Sequence, residues 1–133
     1  MCIRDMLQTE IAGGASYDVV WLQNVLEHVI DPVDLLASLR TLVSPGGIAV
    51  VTVPNDCSIT QYAALTHCHI DGAFWVAPPD HLTYFDGASL AATANATGWK
   101  CVEMLGDFPV DWFLFHPSSN LSLIHISEPT RPY

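Results

Sequence analysis

Two short runs, Tyr17-Asp-Val-Val-Trp-Leu22 and Ile48-Ala-Val-Val-Thr-Val53, are dominated by apolar and β-branched residues. Apolarity that continues rather than alternates predicts strands buried on both faces, as in a parallel sheet. Parallel neighbours need a crossover between them, and the intervening segment carries one helix. Asp31-Pro32 marks its start, with Asp31 as N-cap and Pro32 at the first helical position. Leu35, Leu36, Leu39, Leu42 and Val43 then recur at helical spacing, a stripe that needs a sheet to cover it. Ser44-Pro-Gly-Gly47 is expected to stop that helix and turn the chain.

The same alternation continues downstream. A helix is predicted over Thr60–His67, a loop over Asp71–Pro79, and a helix over Asp86–Thr97 with Asp86 as its cap and Gly98 just past its end. Trp99–Leu105 and Val110–Phe115 read as the last two strands. Gly106–Pro109 is too short for a parallel crossover, so these two strands are expected to be antiparallel. The fold class is therefore α/β, a mostly parallel sheet with an antiparallel C-terminal strand. That last pair departs from the dinucleotide-binding dehydrogenase pattern and disfavours an NAD-dependent dehydrogenase.

At 133 residues, half of them hydrophobic, the chain has material for one domain with a core. Its formal charge is -10, with Arg4, Arg40, Lys100 and Arg131 as the fixed cations. Such a surface repels phosphate backbones and anionic headgroups, so no nucleic acid and no membrane partner is expected. Cys2, Cys57, Cys68 and Cys101 are widely spaced without a CxxC pair, which suits thiols in a reducing cytoplasm better than a zinc site or a disulfide framework. Cys68 lies between His67 and His69, but ligands so close on one short segment rarely close a tetrahedral site. Met1–Glu10 carries Arg4, Asp5 and Glu10 without a long apolar stretch, so no signal peptide is expected.

Three motifs in order narrow the reading: the strand Tyr17-Asp-Val-Val, then Val25-Leu-Glu-His-Val29 with Asp31-Pro32, then Leu42-Val-Ser-Pro-Gly-Gly-Ile-Ala-Val-Val-Thr-Val-Pro-Asn55. Together they resemble the fourth strand, following helix and fifth strand of class I S-adenosylmethionine-dependent methyltransferases, especially the branch with the ubiquinone-biosynthesis O-methyltransferases. The resemblance covers about residues 3–120 and thins after Asn55. It implies a partial Rossmann-like three-layer sandwich, S-adenosyl-L-methionine as cofactor and a small-molecule methyl acceptor.

The resemblance also assigns candidate sites. Leu22, Gln23 and Asn24 fall at the carboxyl end of a parallel strand, where open sheets bind ligands, and are expected on the methionine and ribose side of the cofactor. Cys2–Met6 is expected to end a further strand, placing Asp5 on the adenine amino group and Met6 against its ring. Glu27 and His28 would lie at the mouth of the site, with His28 able to act as general base and Glu27 touching substrate. In some relatives this Glu-His pair binds a metal with a further Glu three residues earlier. That position is Asn24 here, so no metal is expected. Within Ala77-Pro-Pro-Asp-His-Leu-Thr-Tyr-Phe85, His81 is a second candidate base, with Trp75, Tyr84 and Asn55 lining the acceptor pocket. The bland alternative makes Glu27 a solvated cap and His81 a satisfied loop histidine.

The family's main cofactor loop, an acidic residue followed by Gly-x-Gly after a strand, has no counterpart in this chain. Gly13-Gly14 follows no strand and opens no helix. The chain is therefore expected to be the C-terminal part of such a domain over residues 1–120, poor at holding cofactor by itself and prone to aggregate. Without neighbouring strands, Ile3, Val19, Val20 and the leucine stripe would face water. Leu121–Arg131 resembles the in-frame translation of a transposon-end sequencing adapter, so residues 121–133 are expected to be an adapter-derived tail. A degenerate methyltransferase-like domain serving as an interaction module is the non-enzymatic alternative.

Overall fold

In a computed structural model the described residues are 3–106, with side chains from Asp5 onward. The chain divides into two compact units, Met1–Val102 and Glu103–Tyr133, and all the helices and strands below lie in the first. They are α1 (Ile3–Ala12), β1 (Tyr17–Gln23), a single 3-10 turn (Leu26–His28), α2 (Pro32–Arg40), β2 (Val43–Thr52), α3 (Ile59–Thr66) and α4 (Gly87–Ala96). The expected strand Val110–Phe115, and with it the antiparallel pair and the boundary at residue 121, lie outside the described residues.

The two expected strands form and pair in parallel across the α2 crossover, with Val19 opposite Ile48, Trp21 opposite Val50 and Gln23 opposite Thr52. This is an α/β arrangement consistent with part of a Rossmann-like methyltransferase fold. As expected, α2 starts at Asp31, whose Oδ1 accepts from the Asp34 N–H at 2.8 Å, with Pro32 at the first turn. Leu35, Leu36 and Leu39 bury against Leu22, Leu26 and Phe85, and Leu7 of α1 and Leu90 of α4 pack on the same cluster. Thus α1, α2 and α4 all contribute apolar side chains to one core.

The helix stop is not where the sequence reading put it. α2 ends at Arg40 with Thr41 as its cap, while Ser44-Pro-Gly-Gly47 sits inside β2 as a bulge opposite Asp18. Pairing runs from Tyr17–Val43 directly to Val19–Ile48, so the extra residues loop out of the ladder. The Ser44 hydroxyl donates to Asp18 Oδ1 at 2.6 Å and fastens the bulge. Glycine is required at Gly47, where a Cβ would stand 2.8 Å from both the Asp18 carbonyl oxygen and Val43 Cγ1.

Burial on both strand faces is also corrected. Val20, Leu22, Ala49 and Val51 turn toward the helices, but Tyr17, Val19, Trp21, Ile48 and Val50 are exposed on the other face, Trp21 at 67%. The expectation of bare apolar surface therefore holds for Val19 and fails for the leucine stripe, which the helices and Phe85 cover. The side chain of Ile3 is outside the described set.

Two further expectations gave way for one physical reason. Cys2–Met6 was expected to end a strand, yet Ile3–Ala12 is helical. Trp99–Leu105 was expected to be a strand, yet it has no regular structure through Gly106. A strand must find its hydrogen-bond partners in a neighbour, whereas a helix satisfies its own backbone. Trp99 is instead held by its indole N–H, which donates to the Leu36 carbonyl at 2.9 Å.

The remaining helices follow the sequence closely. Ser58 and Gln61 exchange hydrogen bonds across the first turn of α3, and Asp86 and Ser89 do the same at α4. These Ser89 hydrogen bonds, backbone first, hold the Asp86 carboxyl below its ordinary range. Gly98 adopts φ +83 just past α4, the left-handed residue that ends it.

Candidate active site

The carboxyl end of β1 leads straight into the chemistry. Asn24 takes φ +51, a left-handed conformation that asparagine tolerates, and its N–H donates to the Thr52 carbonyl at 2.9 Å. This sharp turn releases the chain from the sheet and opens the 3-10 turn at Leu26. Leu26 and Glu27 turn fully inward, at 0% and 1% exposure, while the His28 side chain stays 40% accessible. The solvated-cap reading of Glu27 is thereby excluded.

His28 is held from two sides. Its Nδ1 lies 2.7 Å from the carbonyl oxygen of Asp80. A carbonyl only accepts, so Nδ1 carries the proton and Nε2 of the neutral ring is left as the basic atom. That Nε2 is 3.6 Å from Glu27 Oε1, so a buried carboxylate lies beside the basic atom and would pair with an imidazolium formed at His28. The His81 ring meets His28 edge-on, with centroids 5.0 Å apart, and Tyr84 follows at 6.2 Å from His81.

The loop that brings His81 here is bound to the same turn. Leu82 and Thr83 both donate their backbone N–H to the Glu27 carbonyl, at 2.8 and 3.1 Å. The Tyr84 hydroxyl accepts from the Ala77 N–H at 3.1 Å, closing the loop on itself. Trp75 is 6% exposed and packs edge-on against Tyr62 and Phe74. Gln23, Asn24 and Asn55 are exposed at the carboxyl ends of the two strands, whereas the side chain of Leu22 belongs to the core. Asp5 and Met6 lie on α1, exposed on a helix and not at a strand end.

Asp56 was not among the expected site residues, although it directly follows Asn55. It is 2% exposed, and its backbone N–H donates to the Phe85 carbonyl at 2.8 Å. Burial foremost, and the Glu27 carboxylate in addition, push its carboxyl above the ordinary value, while the His81 imidazole and a hydrogen bond to the carboxyl from the Phe85 backbone oppose the shift. A polar residue after a strand looks like any loop acid in sequence, because only the return of residues 77–85 over β2 buries it.

Glu27, His28 and His81 each offer one ligand atom, all within 4.8 Å of one another. Asn24, at the position of the third metal carboxylate in some relatives, is exposed, and the loop supplies His81 to the pair instead. Donors around one ion at ~2.1 Å can be at most about 4.2 Å apart, a span close to the one these three groups occupy. Without an ion, the same groups are two imidazoles grouped with a buried carboxylate.

Comparison with known proteins agrees with the motifs. A family model described as a methyltransferase domain matches residues 4–104. The chain is 31% identical over 94 residues to a ubiquinone biosynthesis O-methyltransferase of Colwellia psychrerythraea, covering 68% of this chain and 37% of that protein. The namesake of Burkholderia multivorans is 30% identical over 92 residues, 68% of this chain and 40% of that protein. That of Cereibacter sphaeroides is 27% identical over 129 residues, 91% of this chain and 50% of the relative. This chain thus spans half or less of the length of these relatives. No solved structure matches it.

Proposed function

The chain belongs to the methyltransferase-domain family, and from that footing we propose that it is the C-terminal part of an enzyme that methylates a hydroxyl-bearing small molecule in the cytoplasm. The observation that carries the reading is His28, held by the Asp80 carbonyl at Nδ1 and backed by buried Glu27 at Nε2. A hydroxyl must lose its proton as it becomes a nucleophile, and an imidazole so oriented can take it. The relatives named as O-methyltransferases support the same class of acceptor.

S-adenosyl-L-methionine, when bound, supplies the methyl group on a sulfonium. Gln23 and Asn24 fit its methionine and ribose side, being exposed amides where β1 ends and the backbone turns away from the sheet. Tyr84 lies beside His81, and this reading assigns Tyr84, Trp75 and Asn55, which follows the end of β2, to the acceptor side. Methyl transfer needs chiefly in-line positioning, so the work of these residues is to orient the acceptor and receive its proton. No metal enters this reading.

The glycine-rich loop of the family has no counterpart among these 133 residues, so we further propose that this chain alone holds cofactor weakly. Its uncovered sheet face, Tyr17, Val19, Trp21, Ile48 and Val50, accords with a piece of a larger domain. Calorimetric titration with S-adenosyl-L-methionine tests this: the 133-residue chain is expected to show no tight stoichiometric binding, and the extended gene product is expected to bind. Tight binding by the chain alone refutes the fragment reading. An extended product that binds neither cofactor nor its demethylated form supports a non-catalytic interaction module instead.

A further inference from the structure

Alternation along the two strands turns Tyr17, Val19, Trp21, Ile48 and Val50 away from the helices, and all five are exposed. The register sets Val19 beside Ile48 and Trp21 beside Val50, so these side chains form one continuous surface. Gln23 beside Thr52 bounds it at the carboxyl end. None of these residues is charged, in a chain whose formal charge is -10. At the rim, the Tyr17 hydroxyl donates to Glu10 Oε2 at 2.7 Å and engages that carboxylate. Asp18, between Tyr17 and Val19, is held at the bulge by the Ser44 hydroxyl.

Area and charge together choose what covers such a face. The five side chains expose roughly 500 Å², so two copies set face to face would bury about 1,000 Å², the size a specific interface needs. Two chains of charge -10 repel, and they approach at least cost where neither presents a charge. We propose that the 133-residue chain forms a closed, two-fold symmetric dimer by stacking this sheet face on the same face of a second copy. A two-fold interface uses one patch twice, so no third copy can add. Sheets stacked in this way lie ~10 Å apart, and Trp21 is the largest side chain available to fill that gap. Pairing along the strand edges would instead leave the face bare and the assembly open-ended.

Sedimentation equilibrium of the 133-residue chain tests this and is expected to show a reversible monomer–dimer equilibrium. Trp21→Lys should weaken the dimer by about a thousandfold, because a two-fold interface loses an anchor worth about 30-fold twice over. Val50→Lys is expected to act in the same direction and decides the matter if Trp21→Lys does not fold. Ile59→Lys changes an equally exposed apolar residue on α3, away from the sheet, and should leave the dimer intact. A monomer throughout, whatever covers the face, overturns the proposal, and so do open-ended oligomers. A dimer that survives both sheet variants, or that Ile59→Lys splits as well, overturns it equally. Cofactor binding and methyl transfer play no part in this readout, so their failure would sink the functional reading and leave the dimer standing.

Discussion

The backbone N–H of Leu82 donates to the carbonyl oxygen of Glu27 at 2.8 Å, across 55 positions of sequence. This one bond joins the turn after β1 to the loop after α3, and brings His81 within 5.0 Å of His28. The predictions below follow from what this bond assembles.

His28→Asn in the extended protein is expected to lower kcat by about 100- to 10,000-fold, the usual contribution of a positioned general base. KM for the methyl acceptor should change little, because His28 acts on the proton and not on the binding of the acceptor. Steady-state kinetics with both substrates varied decide it. An unchanged kcat would remove His28 from the reaction.

Asp56 sets a pH dependence of stability. Its native pKa is raised above the unfolded value of ~3.9, so between the two the folded state holds more protons. Stability therefore falls as pH rises through this window and is level above it. Asp56→Asn removes the falling limb, so its stability relative to wild type should be greater at pH 7 than at pH 4. Urea unfolding at both pH values measures this, and a pH-independent difference would contradict it.

The bulge in β2 predicts a contrast between two glycines. Gly47→Ala drives a Cβ to 2.8 Å from the Asp18 carbonyl oxygen and should cost about 1–3 kcal/mol, as overpacking does. Gly72→Ala meets nothing within 4 Å and should stay within about 0.5 kcal/mol of wild type. Equal urea midpoints for the two variants would argue against the bulged register.

Chelation is expected to leave methyl transfer by the extended protein unchanged, because Asn24 brings a neutral amide where a third carboxylate would be needed. Activity lost in EDTA and restored by a divalent cation would instead assign Glu27, His28 and His81 to a metal.

Much of the local structure was legible in residue order. Asp31-Pro32 begins α2, Asp86 caps α4 and Gly98 ends it, because capping uses atoms only a few residues apart. The role of Pro-Gly-Gly was misread because the same residues that stop helices also make bulges, and only the register against Asp18 distinguishes them. Of the candidate site, His28 and His81 were evident as titratable groups, and the structure brings them together. The burial of Glu27 and Asp56 was not evident, since both precede or follow short turns that look solvated in isolation.

By itself the sequence determined the two parallel strands, the helix that crosses between them and the identity of the side chains available for chemistry. These depend on apolar period and capping, which act over a few residues and need no distant partner. The tertiary structure decided which elements could form at all: Ile3–Ala12 closed its own hydrogen bonds as a helix, and Trp99–Gly106 took no strand. It also decided the site, because desolvating Asp56 and setting His81 against His28 require residues 77–85 to fold back over Glu27. Contacts across such sequence distances are fixed by packing and by backbone bonds such as Leu82 to Glu27, which no local pattern encodes.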